Sequence, residues 1–148
     1  KRVVKLTKYT LDEVIEALRQ QITDNVDGIQ AAPDHPPESI HEFPFLLLLA
    51  TDLNVDTYPG RCEFHFTVSV QLHVARTDMP SAIERANGFA ISIPKAIWSD
   101  PTLDGVAMNI GQGQALRGRL EHVAWGNGAI STTAWVFDIP VKYEEAFD

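Results

Sequence analysis

The sequence predicts an α+β fold: a two-layer sandwich in which a four-stranded, mostly antiparallel sheet carries two helices on one face, in the order α-β-β-α-β-β. Three observations predict it: a capped amphipathic helix opening at Thr10, a run of strict two-residue alternation from Cys62 to Val74, and a second such run from Trp135 to Tyr143. A helix stripe and a strand face each need apolar cover, and packing one on the other supplies it to both.

Thr10-Leu11-Asp12-Glu13 has capping-box spacing, with a hydroxyl and a carboxylate placed to satisfy opposite orphan amides. Leu11, Val14, Ile15, Leu18 and Ile22 follow on one helical stripe, and Asp27-Gly28 ends it. Pro33, Pro36 and Pro37 make residues 31–42 a loop. Phe45 to Ala50 is apolar throughout, a strand that wants cover on both faces. The polar stretch Asp52 to Gly60 reads as a hairpin connection longer than the tight two-residue type, projecting and poorly packed. In the next strand Cys62, Phe64, Phe66, Val68, Val70, Leu72 and Val74 define a dry face. Glu63, His65, Thr67, Ser69, Gln71 and His73 define the other, expected to be solvated or pressed on a neighbouring subunit. Asp78-Met79-Pro80 opens a second helix whose stripe of Ile83, Ala86, Ala90, Ile93 and Ile97 continues past a kink at Pro94 and stops at Ser99-Asp100-Pro101. Val106 to Trp125 reads as one strand bent at Gly111, Gly113 and Gly118, and the last strand puts Trp135, Phe137, Ile139, Val141 and Tyr143 on its dry face.

The 148 residues predict a single domain, 1–148, large enough to bury a core without staples. No apolar stretch approaches the roughly 18 to 20 residues that span a bilayer, so membrane residence is not expected. Cys62 is the single cysteine, which excludes an internal disulfide and a zinc site built on paired cysteines and fits a reducing cytoplasm. A formal charge of −8 argues against a surface that grips phosphate backbones.

The residue types that carry chemistry do not assemble in sequence. His65 and His73 share a strand face but stand about 26 Å apart at roughly 3.3 Å per residue, too far for one ion. His35 and His41 flank a proline pair and His122 is alone, so all five histidines are expected on the solvated surface. Asp100, Asp104, Glu121, Glu144 and Glu145 show no pairing that would raise a carboxyl pKa. Gly111-Gln112-Gly113 lacks the Gly-Lys-Ser or Gly-Lys-Thr of a phosphate loop. Ser131, Thr132 and Thr133 have no base beside them, and Cys62 lies on the dry parity. Phe64, Phe66, Trp135 and Phe137 have core parity and not the parity of a base-stacking platform, and Arg61, Arg117 and Arg119 are too few for a nucleic-acid footprint. No catalytic residue, cofactor or metal site is expected.

The order of elements, the Pro-rich loop after the first helix, the long alternating strand and the helix ending Ile97-Trp98-Ser99-Asp100-Pro101-Thr102-Leu103-Asp104-Gly105-Val106 resemble the tail terminator, or tail completion, family of long-tailed bacteriophages. That family carries a motif similar to Asp-Pro-Thr-Leu-Gly-Gly after its second helix; Asp104 stands here where the first Gly is usual. The likeness spans about Thr10 to Tyr143. It implies a structural virion protein and no enzyme: a homo-oligomeric ring, a hexamer, seated on the tail tube protein at the head-proximal end of the tail. Such a ring ends tube growth and joins a head-proximal connector or stopper, with DNA passing through the lumen unbound. It implies localisation in the virion, and in the host cytoplasm during assembly. A neck or head-to-tail adaptor is the alternative of the same kind, and a small cytoplasmic ligand-binding domain or enzyme using the polar sheet face is the alternative of another.

The expected subunit or partner interface combines the doubly apolar strand and the projecting connection: Phe45, Leu47, Leu49, Asp52, Asn54, Asp56, Tyr58, Arg61 and, from the motif, Asp104. An acidic chain suits a channel wall that must not hold DNA.

Overall fold

A computed structural model describes residues 9–33, 42–76, 78–103, 105, 109–110, 116–125 and 130–146. Helix α1 spans Leu11–Asn25, and the Thr10 hydroxyl accepts from the Glu13 amide at 3.2 Å, the cap that the spacing predicts. Its inner face buries Val14, Ile15, Leu18 and Ile22.

Strands β1 (Phe45–Tyr58), β2 (Arg61–Ala75) and β5 (Ile130–Ala146) are long and antiparallel, with β2 in the middle. The region expected to form one bent strand is divided: β3 (Asn109–Ile110) and β4 (Gly118–Trp125) both pair with the outer edge of β5. The sheet thus has five strands but is four strands wide. Pro140, which has no amide to give, lies in β5 between the stretch paired to β4 and the stretch paired to β3. Gly118 is required by a close approach, because a Cβ there would lie 2.7 Å from the Phe137 ring. Gly111 and Gly113 lie outside the described residues.

The second helix expected from Asp78 to Ile97 is two helices, α2 (Met79–Asn87) and α3 (Ser92–Ile97). At the junction Phe89 and Ala90 donate to the carbonyls three residues back, tightening the chain. Pro94 consequently falls in the first turn of α3, where its missing amide costs nothing, and not in a late kink. The rotation also corrects the stripe: Ala82 and Ala86 are buried in α2, while Ile83 and Ala90 are only half-buried.

One core joins these elements. Val14, Leu18 and Ile22 of α1 and Ile93 and Ile97 of α3 pack with Leu46 and Leu48 of β1, the even residues Phe66 to Leu72 of β2 and the odd residues Phe137 to Tyr143 of β5. Val74 belongs instead to a small cluster with Ala82 and Ala86. The corner after α3 is pinned by polar bonds. The Gln21 amide donates to the carbonyls of Ala96, Ile97 and Asp100 at 2.7–3.1 Å, and the Trp98 indole donates to Ile110 at 2.9 Å. Leu103 is buried with φ at 52°, a left-handed conformation that a branched side chain holds only where packing compels it.

The opposite sheet face differs from expectation. Phe45, Leu47, Ser69, His73, Ala134 and Val136 share it through the strand registers, and all are buried within the single chain. Ala31 and Phe43 pack on its apolar end.

Replacing Phe66 by Ala removes a ring from the main core and is expected to cost about 3–5 kcal/mol. Ile83→Ala, at a half-exposed position, is expected to cost about 1 kcal/mol or less. Chemical denaturation of both variants checks the assignment of faces.

Candidate interaction surface

Beyond Ala50 the hairpin of β1 and β2 continues as a projecting arm, and every residue from 51 to 60 is exposed. This corrects the expected irregular connection. Asp52 to Tyr58 is ladder, paired residue by residue with Thr67 to Arg61, and only Pro59-Gly60 turns the chain. Proline presets the first turn position and Gly60, at φ 79°, takes the second, which an L side chain resists.

A bulge at Thr51 sets what each arm face carries. Below it the even residues Leu46 and Leu48 face the helices; above it the register shifts by one and Leu53 and Val55 take that side, opposite Phe66 and Phe64. Their exposures of 55% and 46% make them the apolar outer part of the arm. With Leu11, Val14, Tyr9 and Tyr143, Leu53 borders an open hollow of about 210 Å³.

The other arm face is ionic. The Glu63 carboxylate is bonded by Lys142 Nζ at 3.2 Å and Arg61 Nη1 at 3.3 Å, and Arg61 also reaches Glu144 at 3.3 Å. The Lys142 hydrogen bond, outweighing partial burial, holds the Glu63 pKa below the usual carboxylate value. His65 Nε2 lies 3.3 Å from Asp56 and 3.5 Å from the second Glu63 oxygen. Arg61 sits over the Tyr58 ring at 4.4 Å. One ligand atom each from Asp56, Glu63 and His65 lie within 4.8 Å of one another, a donor set that suits a divalent ion. Two cations already neutralise Glu63, however, and their charge opposes a third. The spacing of the histidines alone does not reveal this group; the Pro59-Gly60 turn is its signal in the sequence, because it sets Asp56 opposite Glu63 and Asn54 opposite His65.

Of the expected interface residues, Asp52, Asn54, Asp56 and Tyr58 lie exposed on the arm and Arg61 half-exposed beside its tip. Leu49 is half-buried. Phe45 and Leu47 are 1% and 0% exposed, so they offer no surface to a partner. Asp104 lies outside the described residues.

His73 is not a surface histidine. Its ring is fully buried, stacked on Phe45 at 4.6 Å, with Nδ1 2.8 Å from the Thr132 hydroxyl and Nε2 2.9 Å from Gln71 Oε1. With the Gln71 oxygen as acceptor, Nε2 carries the proton and Thr132 donates to Nδ1. Thr133 likewise meets a base, His122, at 3.0 Å. Neither hydroxyl lacks a neighbouring imidazole as the sequence suggested, yet Thr132 and His73 admit no substrate because both are 0% exposed. His65 is half-buried and His122 exposed, while His35 and His41 lie outside the described residues. Glu144 and Glu145 do not converge: Glu144 meets Arg61, and Glu145 is buried and accepts from the Tyr143 hydroxyl at 2.7 Å.

On the outer side of β1, between Leu48–Ala50 and the flank of α1 carrying Asp12, Glu13 and Glu16, runs a groove of about 570 Å³. No helix among the described residues is long and apolar enough to cross a membrane. No protein-family model and no curated protein sequence matches this chain.

Burial depresses the His73 pKa to about 4, below its ordinary 6.5. Above pH 6.5 the ring is neutral in both folded and unfolded chains and the native state keeps its full stability. As pH falls from 6.5 toward 4 the unfolded chain takes a proton that the buried ring refuses, so stability falls, by up to about 3 kcal/mol. Denaturation midpoints across that window are expected to decline in the wild type and to flatten in His73→Gln.

Proposed function

We propose that this chain is a ring-forming structural subunit of a long-tailed phage, seated at the head-proximal end of the tail tube, where it ends tube growth and joins the tail to the head connector. The observation that carries the proposal is the arm. Leu53 and Val55 are held outward on a ladder-stabilised ribbon, and a monomer gains nothing from presenting them to water. A neighbouring copy that covers them converts that exposure into interface. The resemblance of the α3 corner to the tail terminator motif points the same way, as does the clustering of α1, α3 and one sheet face in a single core, which fits the two-layer arrangement with both helices on one side.

A subunit of this kind needs no catalytic centre, and DNA would pass through the ring without being held. The surplus of twenty acidic over twelve basic side chains supports that role, because a lumen wall rich in carboxylates offers few anchors to phosphate. Exposed arm acids Asp52 and Asp56 are the candidates for it.

Leu53→Lys combined with Val55→Lys tests the proposal. Both positions are about half-exposed, so the fold is expected to survive, with a stability change of about 1 kcal/mol or less. The wild type is expected to stop polymerisation of its tail tube protein and the double variant to let it continue. Equal capping by both proteins would remove the arm from the mechanism, and no capping by the wild type would remove the function.

A further inference from the structure

The outer side of β1 is a sheet edge. Apart from the parallel bridge of Phe45 with Ala31, no described strand pairs along it. An unpaired edge is a template for another strand unless something covers or blunts it. Beside α1 this edge lies along the groove floored by Leu48, Leu49 and Ala50. The opposing helix flank offers exposed Leu11, with Ile15 buried at its base, and the acids Asp12, Glu13 and Glu16. Glu16 is paired with Arg19, whereas neither Asp12 nor Glu13 has an ion pair among the described residues.

The chain contains a segment of matching chemistry. Residues 1–8, Lys-Arg-Val-Val-Lys-Leu-Thr-Lys, hold four of its twelve cationic side chains and none of its twenty acidic ones. Written as a strand, Val4 and Leu6 fall on one face with Arg2 and Lys8 at either end. The groove follows α1 from Leu11 to Arg19, about 12 Å, the length of roughly four extended residues.

We propose that residues 1–8 of one copy dock on the β1 edge of the next. They add a strand to its sheet, with Val4 and Leu6 toward Leu11 and Ile15 and the cations on Asp12 and Glu13. The proposal rests on the ring assembly proposed above and names one of its joints. The occupant comes from a second copy because of where a copy's own segment is held: the Tyr9 amide donates to the Tyr143 hydroxyl of β5 at 3.1 Å. Tyr9 and Tyr143 border the hollow beside Leu53, at the end of α1 where the groove begins at Leu11. To fill its own groove, which runs from Leu11 toward Arg19, a segment would have to double back alongside the helix that follows it.

The test mixes two full-length single variants, Leu6→Cys and Ala50→Cys, under mild oxidation, with products read on a non-reducing gel; the native Cys62 is buried. The docked geometry predicts a disulfide heterodimer at least about tenfold more abundant than from a mixture of Leu6→Cys with Tyr58→Cys at the arm tip. Adding Arg2→Glu and Lys8→Glu to the Leu6→Cys chain should abolish it. Absence of the heterodimer, or a bond that forms only within one chain of the double variant Leu6→Cys/Ala50→Cys, overturns the proposal. Light scattering on the unmodified chain separates the two ideas. Assembly without the cross-link overturns the docked segment and leaves the ring standing, whereas a monomer throughout overturns both.

Discussion

The turn at Pro59-Gly60 and the bulge at Thr51 together set the register of β1 on β2, and most of what distinguishes this chain depends on that register. Two turn residues force Tyr58 opposite Arg61 and thread the ladder down from there. With no bulge the ladder would keep one parity throughout, and either Leu46 and Leu48 would leave the core or Leu53 and Val55 would move to the ionic face. One extra residue lets both apolar sets face the helix side. The same register lays Phe45 on His73 and places Asp56 beside Glu63 and His65.

Much of the fold was legible because the signals were local or strictly periodic. The Thr10 cap and the stripe behind it located α1, and parity assigned the inner faces of β2 and β5. What misled was composition standing in for geometry. Asp52, Asn54 and Asp56 are poor strand formers, so the segment read as loop; cross-strand pairing overrode their propensity. The stripe through Gly88 looked continuous, but a tightened turn there reset the helix and moved burial from Ile83 to Ala82. His73 was assigned to a wet face by parity, yet its ring is buried against Phe45, and Thr132 and Gln71 satisfy it. At the candidate surface Asp52, Asn54, Asp56, Tyr58 and Arg61 were legible as one patch, whereas Leu53, Val55, Glu63 and Lys142 needed the register to join it.

The motif that carries the family resemblance has a structural task. Asp100 accepts from Thr102, Leu103 is held buried at positive φ, and Gln21 gathers three carbonyls at the end of α3. These contacts pin the chain at the end of α3. The corner explains how such a chain folds, and the proposed function depends on the arm that projects elsewhere.

The proposed function rests on another copy covering the arm's outward leucine and valine, so the central claim is one of assembly. Native mass spectrometry of the unmodified chain at micromolar concentration tests it most directly. A dominant species with the mass of six chains, about 98 kDa given 16.4 kDa for each, is the result the account predicts; a spectrum of monomer alone would contradict it.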